Sequence, residues 1–390
     1  MPVINRIAEF SEEIVGWRRD FHAHPELLYD VHRTAGRVAE LLRSFGVDEV
    51  AEGIGRTGVV GVIRGRGPGR TIGLRADMDA LPIAERSGAP HASTVPGRMH
   101  ACGHDGHTAM LLGAAKYLAE TRNFDGTAVL IFQPAEEGGA GGRAMVEDGL
   151  MDRFGIDEVY GMHNMPGLPR GAFATRPGGI MAASDAFTIS IEGKGGHAAR
   201  PHVGVDPVVI AAQLITTLQT LVARNVDPMR PAVLSVTMFH AGDAFNIIPQ
   251  RVELTGTVRT LDEEVRDLME TRLKAVTVGL VETLGGKAAV SYRRGYPVTV
   301  NTAEAAAYAA GIAAQIAGPD QVNANTDPSM AGEDFSYMLQ ARPGAFMFLG
   351  TGDGPDLHSD TYDFNDEVIP VGVSYWVRLI EGTAGRLQGT

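Results

Sequence analysis

The stretch Thr127-Ala128-Val129-Leu130-Ile131-Phe132 indicates the fold class of this chain of 390 residues. It is an unbroken apolar run, which is the pattern of a β-strand in a sheet covered on both faces. Residues 107–120, which precede it, have the apolar spacing of a helix. This alternation of helix and strand predicts an α/β domain.

Further strands of the same sheet are predicted on both sides of this segment. Residues 58–64 and 71–76 have strand patterns, and the glycine-rich segment 65–69 between them is predicted to be a hairpin turn. Its glycine spacing does not match a dinucleotide-binding loop, and no helix follows it directly. Strands are also predicted at 157–163 and, near the end of the chain, at 345–350.

Two helices are predicted before these strands. Apolar side chains recur three or four residues apart from Ile7 through Ile14 to Phe21, which predicts one amphipathic helix. The same spacing predicts a second helix over residues 34–45.

The segment between the two groups of strands has its own pattern, in the order β-α-β-β-α-β. Asp206-Pro207 begins the first of its helices, because aspartate caps helices and proline suits their first position. The order is that of a ferredoxin-like domain. We therefore expect residues 184–295 to form an inserted ferredoxin-like domain, acting as a lid or in dimerisation, and residues 1–183 and 296–390 to form the two parts of a catalytic domain.

Composition limits the classes of partner. The chain is 44% apolar, has a net charge of −13, and contains no large cluster of lysine or arginine. This argues against nucleic acid or an acidic membrane surface as a partner and favours small molecules. Apolar runs fall short of the roughly 18 residues that cross a membrane, and the first residues lack the pattern of a secretory signal. A cytoplasmic protein is expected.

The single cysteine of the chain lies in His100-Ala101-Cys102-Gly103-His104-Asp105-Gly106-His107. One cysteine cannot form an internal disulfide, and an inert buried thiol seldom has histidines on both sides. The sequence therefore favours metal ligation or nucleophilic chemistry at Cys102.

Other possible metal ligands follow predicted strands or lie in loops. Taken one at a time, the acidic pair could be a solvated turn and each histidine an ordinary core or loop residue. Together they offer thiolate, imidazole and carboxylate donors at strand ends of one sheet, where ligand sites of α/β proteins form. They are Cys102, His104, Glu136, Glu137, His163 and His358.

Seven motifs distributed over nearly the whole chain resemble those of the aminoacylase and carboxypeptidase-like amidohydrolases. The resemblance is greatest to the branch of hippurate hydrolases and N-acyl amino acid amidohydrolases. The motifs are His22-Ala23-His24-Pro25-Glu26-Leu27, Arg75-Ala76-Asp77-Met78-Asp79-Ala80-Leu81-Pro82, the cysteine motif, Gln133-Pro134-Ala135-Glu136-Glu137, Gly195-Gly196-His197-Ala198-Ala199-Arg200-Pro201, Phe245-Asn246-Ile247-Ile248-Pro249 and Ala331-Gly332-Glu333-Asp334-Phe335.

The resemblance implies a mixed-sheet catalytic domain with two divalent cations per subunit, bridged by Cys102. His104 and Glu137 would hold one cation, and His163 and His358 the other. Glu136 would be the general base. Thiolate and imidazole donors favour zinc, cobalt or nickel, and manganese is frequent among relatives.

The chain departs from many relatives outside this branch, in which a His-x-Asp pair stands at the position of Asp77-Met78-Asp79. We expect Asp79 to orient the ligands, while Asp77 has no assigned role. Glu333 and Asp334 are interpreted as caps of a helix that begins near Phe335.

The resemblance also implies residues that contact the substrate. His197 would stabilise the oxyanion, supplied by the partner subunit of a homodimer or larger assembly, and Asn246 and Arg259 would bind the substrate carboxylate. Gly332 would bring backbone close to the ligand. From the residues alone, His197 could be a loop histidine, and Arg259 could pair with Glu263 on the surface.

The function predicted from these features is hydrolysis of N-acyl amino acids. A dipeptidase or an N-acetyl-diaminopimelate-type deacetylase on the same scaffold is an open alternative. A metal-binding module without catalysis is disfavoured because Glu136 and all five ligands are present. A hydrolase with Cys102 as nucleophile and His104 as base is disfavoured, because residues two apart in an extended chain seldom reach that geometry.

Overall fold

The computed structural model describes residues 3–383. In chain order, its helices are α1 Asn5–Glu9, α2 Ser11–Ala23, α3 His32–Ser44, α4 His104–Thr121, α5 Glu136–Gly139, α6 Gly141–Glu147, α7 Leu150–Arg153, α8 Pro207–Asn225, α9 Glu263–Thr283, α10 Ala303–Ala317, α11 Ser336–Ala341 and α12 Ile369–Glu381. Its strands are β1 Glu49–Ile54, β2 Gly58–Arg64, β3 Thr71–Asp77, β4 Thr127–Gln133, β5 Glu158–Pro166, β6 Phe173–Ala174, β7 Gly178–Met181, β8 Ala183–Glu192, β9 Gly196–His197, β10 Ala232–Ala241, β11 Ile247–Ile248, β12 Arg251–Thr260, β13 Lys287–Tyr296, β14 Thr299–Asn301, β15 Val322–Asn323 and β16 Gly344–Gly352.

The chain divides into two compact units. The first comprises the chain up to Ile180, residues Val300–Asp327 and the chain from Asp334 onward. The second comprises Met181–Thr299 and Pro328–Glu333. The domain boundaries expected from the sequence placed residues 328–333 in the catalytic domain, whereas in the structure they belong to the second unit.

The first unit contains an eight-stranded sheet in the order β1-β2-β4-β3-β5-β16-β6-β15. Strands β4, β3, β5 and β16 run parallel to their neighbours in this series, whereas β1 and β2 add antiparallel pairs at one side. The apolar run of β4 is buried from Ala128 onward. The prediction of a mixed α/β sheet is confirmed, and its parallel strands end at one common edge.

The predicted hairpin between β2 and β3 is wrong, because β4 lies between them, antiparallel to β2 and parallel to β3. The glycines of segment 65–69 instead contact the loop that precedes β4. The amide of Gly65 donates to the carbonyl of Gly126 at 2.8 Å, and the amide of Gly126 donates to that of Gly67 at 2.9 Å. A Cβ at Gly65 or Gly126 would collide with backbone of the facing loop, which accounts for glycine at both positions.

The predicted first helix is two helices, because the chain turns at Phe10 between α1 and α2. The apolar stripe is nonetheless buried along its whole length, with Ile7, Ile14 and Phe21 fully enclosed. Helix α4 packs on strand β3 of the sheet, and α2 and α12 pack against α4.

The second unit contains an antiparallel sheet in the order β10-β12-β8-β13 with helices α8 and α9. Apart from the short strands β9 and β11, its elements follow the order β-α-β-β-α-β. The predicted cap of α8 is present, since the Asp206 carboxylate accepts from the amides of Val208 and Val209. The ferredoxin-like class of this unit stays a prediction.

Helix α8 is long and apolar enough to cross a membrane by length and composition alone. Its buried side chains, including Ile210, Leu214 and Leu218, instead belong to the apolar core of the second unit. Its other face carries exposed residues, as is usual for a helix packed on a sheet.

Candidate metal centre

The candidate ligands lie near the carboxyl ends of adjacent parallel strands. Strand β3 ends at Asp77, β4 at Gln133 just before Glu136, and β5 contains His163 close to its end. Helix α4 begins at His104. Because β3, β4 and β5 are neighbours in register, these side chains meet at one edge of the sheet.

The donor atoms form two sets that share the cysteine. Cys102, His104 and His163 form one set, and Cys102, Glu137 and His358 the other, with the donor atoms of each set within 4.8 Å of one another. Cys102 Sγ lies 3.4 Å from His163 Nε2. Glu137 Oε1 lies 3.4 Å from His358 Nε2.

A third set joins His104 to Glu136 and Glu137, and His104 Nε2 lies 4.0 Å from Glu137 Oε1. His104 is therefore close both to Glu137, its partner in the pairing that the resemblance implied, and to His163. The division of the ligands between two cations stays a prediction. The shared position of Cys102 is the one expected of a bridging ligand.

The orientation of the two buried histidines fits metal ligation. His104 Nδ1 lies 2.8 Å from the backbone oxygen of Asp79, and His163 Nδ1 lies 2.7 Å from that of Asn164. Each Nδ1–H can donate to its carbonyl, which leaves Nε2 as the donor atom for a cation. His104 Nε2 and Glu137 Oε1 are both buried without a hydrogen-bond partner. Buried polar atoms are normally partnered, so a cation between them would satisfy both.

The Asp79 carboxylate fixes the backbone that carries both glutamates. One oxygen accepts from the amide of Glu136 at 2.9 Å, and the other accepts from the amide of Glu137 at 3.1 Å. Asp79 is 1% exposed. Because its carbonyl oxygen also accepts from His104 Nδ1, Asp79 contacts three members of the candidate site.

The backbone around the glutamates is tightly folded. Ala135 has φ = 56° and Gly138 has φ = 93°, both in the left-handed region. A Cβ at Gly141 would collide with the carbonyl oxygen of Pro134. The glycine-rich stretch after the acidic pair therefore allows the chain to turn sharply, so that the two adjacent carboxylates reach different positions.

The charge states of these residues depend on one another. Burial raises the pKa of the Cys102 thiol to about 12. Burial alone would lower the pKa of His104, but the Asp77 carboxylate and Cys102 raise it well above its usual value. The ion pair with Glu137 raises the pKa of His358. A cation that binds here must therefore displace protons, as thiolate and imidazole ligands require.

Sequence reasoning missed a buried polar group behind the ligands. His107 Nδ1 lies 2.6 Å from Asp77 Oδ1, and His107 Nε2 lies 2.6 Å from Asn164 Oδ1. The Asn164 amide nitrogen donates to Tyr362 Oη at 2.7 Å. The other Asp77 oxygen accepts from Arg75 at 2.7 Å. The available sequence signals were that His107 is the last residue of the cysteine motif and that Asp77 lies in the Asp77-Met78-Asp79 motif.

Asp334 has contacts beyond the start of helix α11, which begins at Ser336. Its carboxylate accepts from Arg75 at 3.0 Å and from the Gln133 amide at 2.6 Å. It thereby ties the far part of the chain to the ends of β3 and β4. The interpretation of Glu333 and Asp334 as helix caps stays a prediction.

The predicted substrate-contacting residues lie in the second unit, in two pairs. His197 and Asn246 are exposed and adjacent, because β9 pairs with β11 and the amide of Ala198 donates to the carbonyl of Asn246 at 3.0 Å. Arg259 pairs in register with Ser184, and a Cβ at Gly332 would lie 3.0 Å from the Ser184 side chain.

Arg259 does not pair with Glu263, which the sequence offered as its alternative partner. Glu263 forms ion pairs with Arg266 at 3.1 Å and with Arg294 at 3.8 Å. Arg259 Nη1 is buried without a hydrogen-bond partner, and burial lowers the pKa of this guanidinium. A carboxylate ligand would satisfy it.

Comparison with known proteins identifies the family. The sequence profile of Peptidase family M20/M25/M40 matches residues 73–382. The chain is 42% identical to the hippurate hydrolase of Campylobacter jejuni over 379 residues, which covers 97% of this chain and 98% of that protein. It is 45% identical to an N-acyl-L-amino acid amidohydrolase of Geobacillus stearothermophilus over 297 residues, which covers 76% of this chain and 80% of that protein.

A solved structure has the same fold. It is that of a dinuclear metal binding peptidase of the M20 family from Bacillus subtilis, with a TM-score of 0.85 and 34% identity, covering 96% of this chain and 98% of that one. The resemblance found in the sequence is confirmed, and the chain belongs to peptidase family M20/M25/M40.

Proposed function

We propose that this protein is a metal-dependent amidohydrolase that cleaves the amide bond of N-acyl amino acids, releasing a carboxylate and a free amino acid. The observation that carries the proposal is the pair of donor sets sharing Cys102, with the carboxylate of Glu136 beside them. The hippurate hydrolase and N-acyl-L-amino acid amidohydrolase relatives act on substrates of this class, as their names state.

Each residue of the centre has a proposed task. Cys102, His104, Glu137, His163 and His358 hold two divalent cations, of which zinc and manganese are the proposed occupants, with cobalt or nickel as substitutes. When bound, the cations polarise the amide carbonyl and acidify a water molecule.

Glu136 moves the proton. Its carboxylate accepts a proton from the water that adds to the amide carbon, and it then delivers that proton to the departing nitrogen as the C–N bond breaks. The donor atoms of Glu136, Glu137 and His104 lie within 4.8 Å of one another, and Glu136 is buried. This closeness supports the assignment of adjacent glutamates to different tasks.

The substrate groups are assigned to the second unit. Arg259 binds the substrate carboxylate, an assignment that its unpartnered Nη1 supports, with Asn246 as a second donor and Gly332 beside it. His197 is the proposed donor to the oxyanion, because its ring is exposed while its backbone is held in β9.

The proposed assembly is a cytoplasmic homodimer in which His197 reaches the site of the partner subunit. The second unit exposes large apolar side chains near His197, with Phe245 fully exposed and Ile247 56% exposed. Strand β10, at an edge of its sheet, exposes Phe239 and Met238. Exposed apolar groups on a sheet edge are common at protein interfaces.

The test compares substrates under defined metal loading. The metal-free protein is reconstituted with manganese or zinc and incubated with hippurate, N-acetyl amino acids, dipeptides and N-acetyl-diaminopimelate, while free amino groups are measured. Faster turnover of the N-acyl amino acids supports the proposal, whereas preference for a dipeptide or for N-acetyl-diaminopimelate favours the alternative on the same scaffold.

Two controls separate the other mechanisms. Turnover that remains in EDTA would point to Cys102 as a nucleophile and would refute a metal mechanism. A wild-type rate no higher than that of Glu136→Gln would indicate a metal-binding protein without catalysis.

A further inference from the structure

The mechanism leaves one large buried charged group without a task. Arg18, in helix α2, is 0% exposed, and its helix contributes no candidate ligand. Its Nε lies 2.8 Å from Asp105 Oδ2, its Nη2 donates to Asp363, and its Nη1 lies 3.5 Å from Asp366. Three carboxylates thus converge on one guanidinium.

Two of these carboxylates are close in sequence to candidate ligands. Asp105 directly follows His104 in the first turn of α4, and it is 1% exposed. Asp363 lies five residues after His358 and is partly exposed. Arg18 therefore joins the helix that carries one ligand to the loop that carries another.

The loop is also packed directly on the start of α4. A Cβ at Gly106 would collide with the ring of Phe364, so that this ring lies against the first turn of the helix. The amide of His358 donates to the carbonyl of Ala101 at 2.8 Å, next to Cys102. Tyr362 accepts from Asn164, which follows His163.

We infer that Arg18 is a positioning residue for the two-cation centre: by bonding Asp105 and Asp363 together it sets the distance between His104 and His358. This inference rests on the proposed function. The separation matters because His104 and His358 belong to different donor sets that share Cys102. A shift of either segment would open one set while leaving the other intact.

The charge and shape of arginine are both needed for this task. Its planar fork reaches several carboxylates at once, whereas lysine offers one compact charge. Removal of a buried partner leaves the remaining charges uncompensated, which is strongly destabilising. The direct variant Arg18→Lys is therefore paired with Asp363→Asn, a nearly isosteric change at a partly exposed position.

The experiment titrates metal-free protein with cobalt(II) and follows the visible spectrum, including the thiolate-to-cobalt band, with metal per chain measured separately. Wild type is expected to bind two cobalt ions. In Asp363→Asn we expect the ion held by Glu137 and His358 to bind at least tenfold more weakly, while the other ion keeps its affinity. Arg18→Lys is expected to weaken both ions.

Asp366→Asn is the matched control, because Asp366 also faces Arg18, at 3.5 Å, but lies farther along the chain from His358 than Asp363 does. Its cobalt affinities should stay within twofold of wild type. Affinities in Asp363→Asn within twofold of wild type, or an equal loss in Asp366→Asn, would overturn the inference, and Asp363→Asn decides the matter if Arg18→Lys does not fold. Fewer than two cobalt ions in wild type would instead count against the proposed function.

Discussion

Replacement of Asp79 by asparagine tests whether the ligands depend on this single orienting carboxylate. Both Asp79 oxygens accept backbone amides, from Glu136 at 2.9 Å and from Glu137 at 3.1 Å. Asparagine keeps one acceptor and places an NH₂ group against the other amide, so one charge-assisted hydrogen bond is lost.

The size of the effect follows from that one bond. A hydrogen bond to a charged group contributes about 1.5–3 kcal/mol. Since about 1.4 kcal/mol corresponds to a factor of ten, we expect a loss of about 10–100-fold in metal affinity and in kcat/KM for an N-acyl amino acid, which is the usual range for residues that orient metal ligands. If the side-chain NH₂ group of the asparagine faces the backbone amide of Glu137, the position of Glu137 should change more than that of Glu136.

The assay measures cobalt affinity by competition with a chelator and kcat/KM for the best substrate at saturating metal. The matched control is Asp206→Asn, because Asp206 also accepts two backbone amides, at the start of α8 in the second unit. It should leave metal affinity unchanged. Wild-type metal affinity and kcat/KM in Asp79→Asn would refute the role given to this carboxylate.

Three further outcomes are expected. Glu136→Gln should lower kcat by about 10²–10⁴-fold while the protein keeps two metal ions, measured by elemental analysis, because only proton transfer is removed. Arg259→Lys should raise KM about tenfold or more with little change in metal content, because lysine cannot form the same fork with a carboxylate; an unchanged KM would contradict the assignment. Burial alone would lower the pKa of His22, but Asp105 and Glu85 outweigh it and raise the pKa to about 9, above the unfolded value of about 6.5. His22 should therefore contribute up to about 3 kcal/mol to the free energy of unfolding below pH 6.5 and lose this contribution as the pH rises through 9. Over this pH range, the free energy of unfolding measured with urea should fall more for wild type than for His22→Gln.

The sequence predicts the elements of the fold well where the pattern is local. The apolar run of β4 and the stripe from Ile7 to Phe21 are buried as expected, because burial of one face or of a whole strand leaves a periodic trace. The order of strands within the sheet leaves no such trace. The glycines at 65–69 look like a hairpin turn but pack against the loop before β4, and this contact depends on a strand that comes more than fifty residues later.

The same distinction holds for the candidate site. The ligand atoms are recognisable because thiol, imidazole and carboxylate groups have chemistry of their own, and their clustering in the structure agrees with the expectation of a shared cysteine. Their division between two cations stays a prediction, because His104 lies near both Glu137 and His163. Those contacts depend on how α4, β4 and β5 are placed next to one another, and nothing local in the sequence encodes that placement.

The long-range partners of Arg18, Arg75 and Asp334 could not be identified from the sequence, because they are distant along the chain. Arg75 contacts Asp334 across 259 residues, and Arg18 contacts Asp363 across 345. Each has the ordinary appearance of a surface ion until the fold buries it, and both arginines are at most 1% exposed. A buried charge is costly unless an opposite charge pairs with it, so each buried arginine requires a carboxylate partner. These ion pairs hold in place the segments that carry the carboxylates.

The candidate ligands come from both chain segments that form the first unit, since His358 follows the inserted second unit and the other four precede it. The long-range contacts of Arg18 and Arg75 join the same two segments, with Asp363 and Asp334 on the later one. A cation shared by Cys102 and His358 would add a third link of the same kind, and its binding free energy would stabilise the joined form over any form in which the later segment is detached. The metal centre and the buried ion pairs of Arg18 and Arg75 therefore share one structural role. They hold the two chain segments of the first unit at the separation that two cations require.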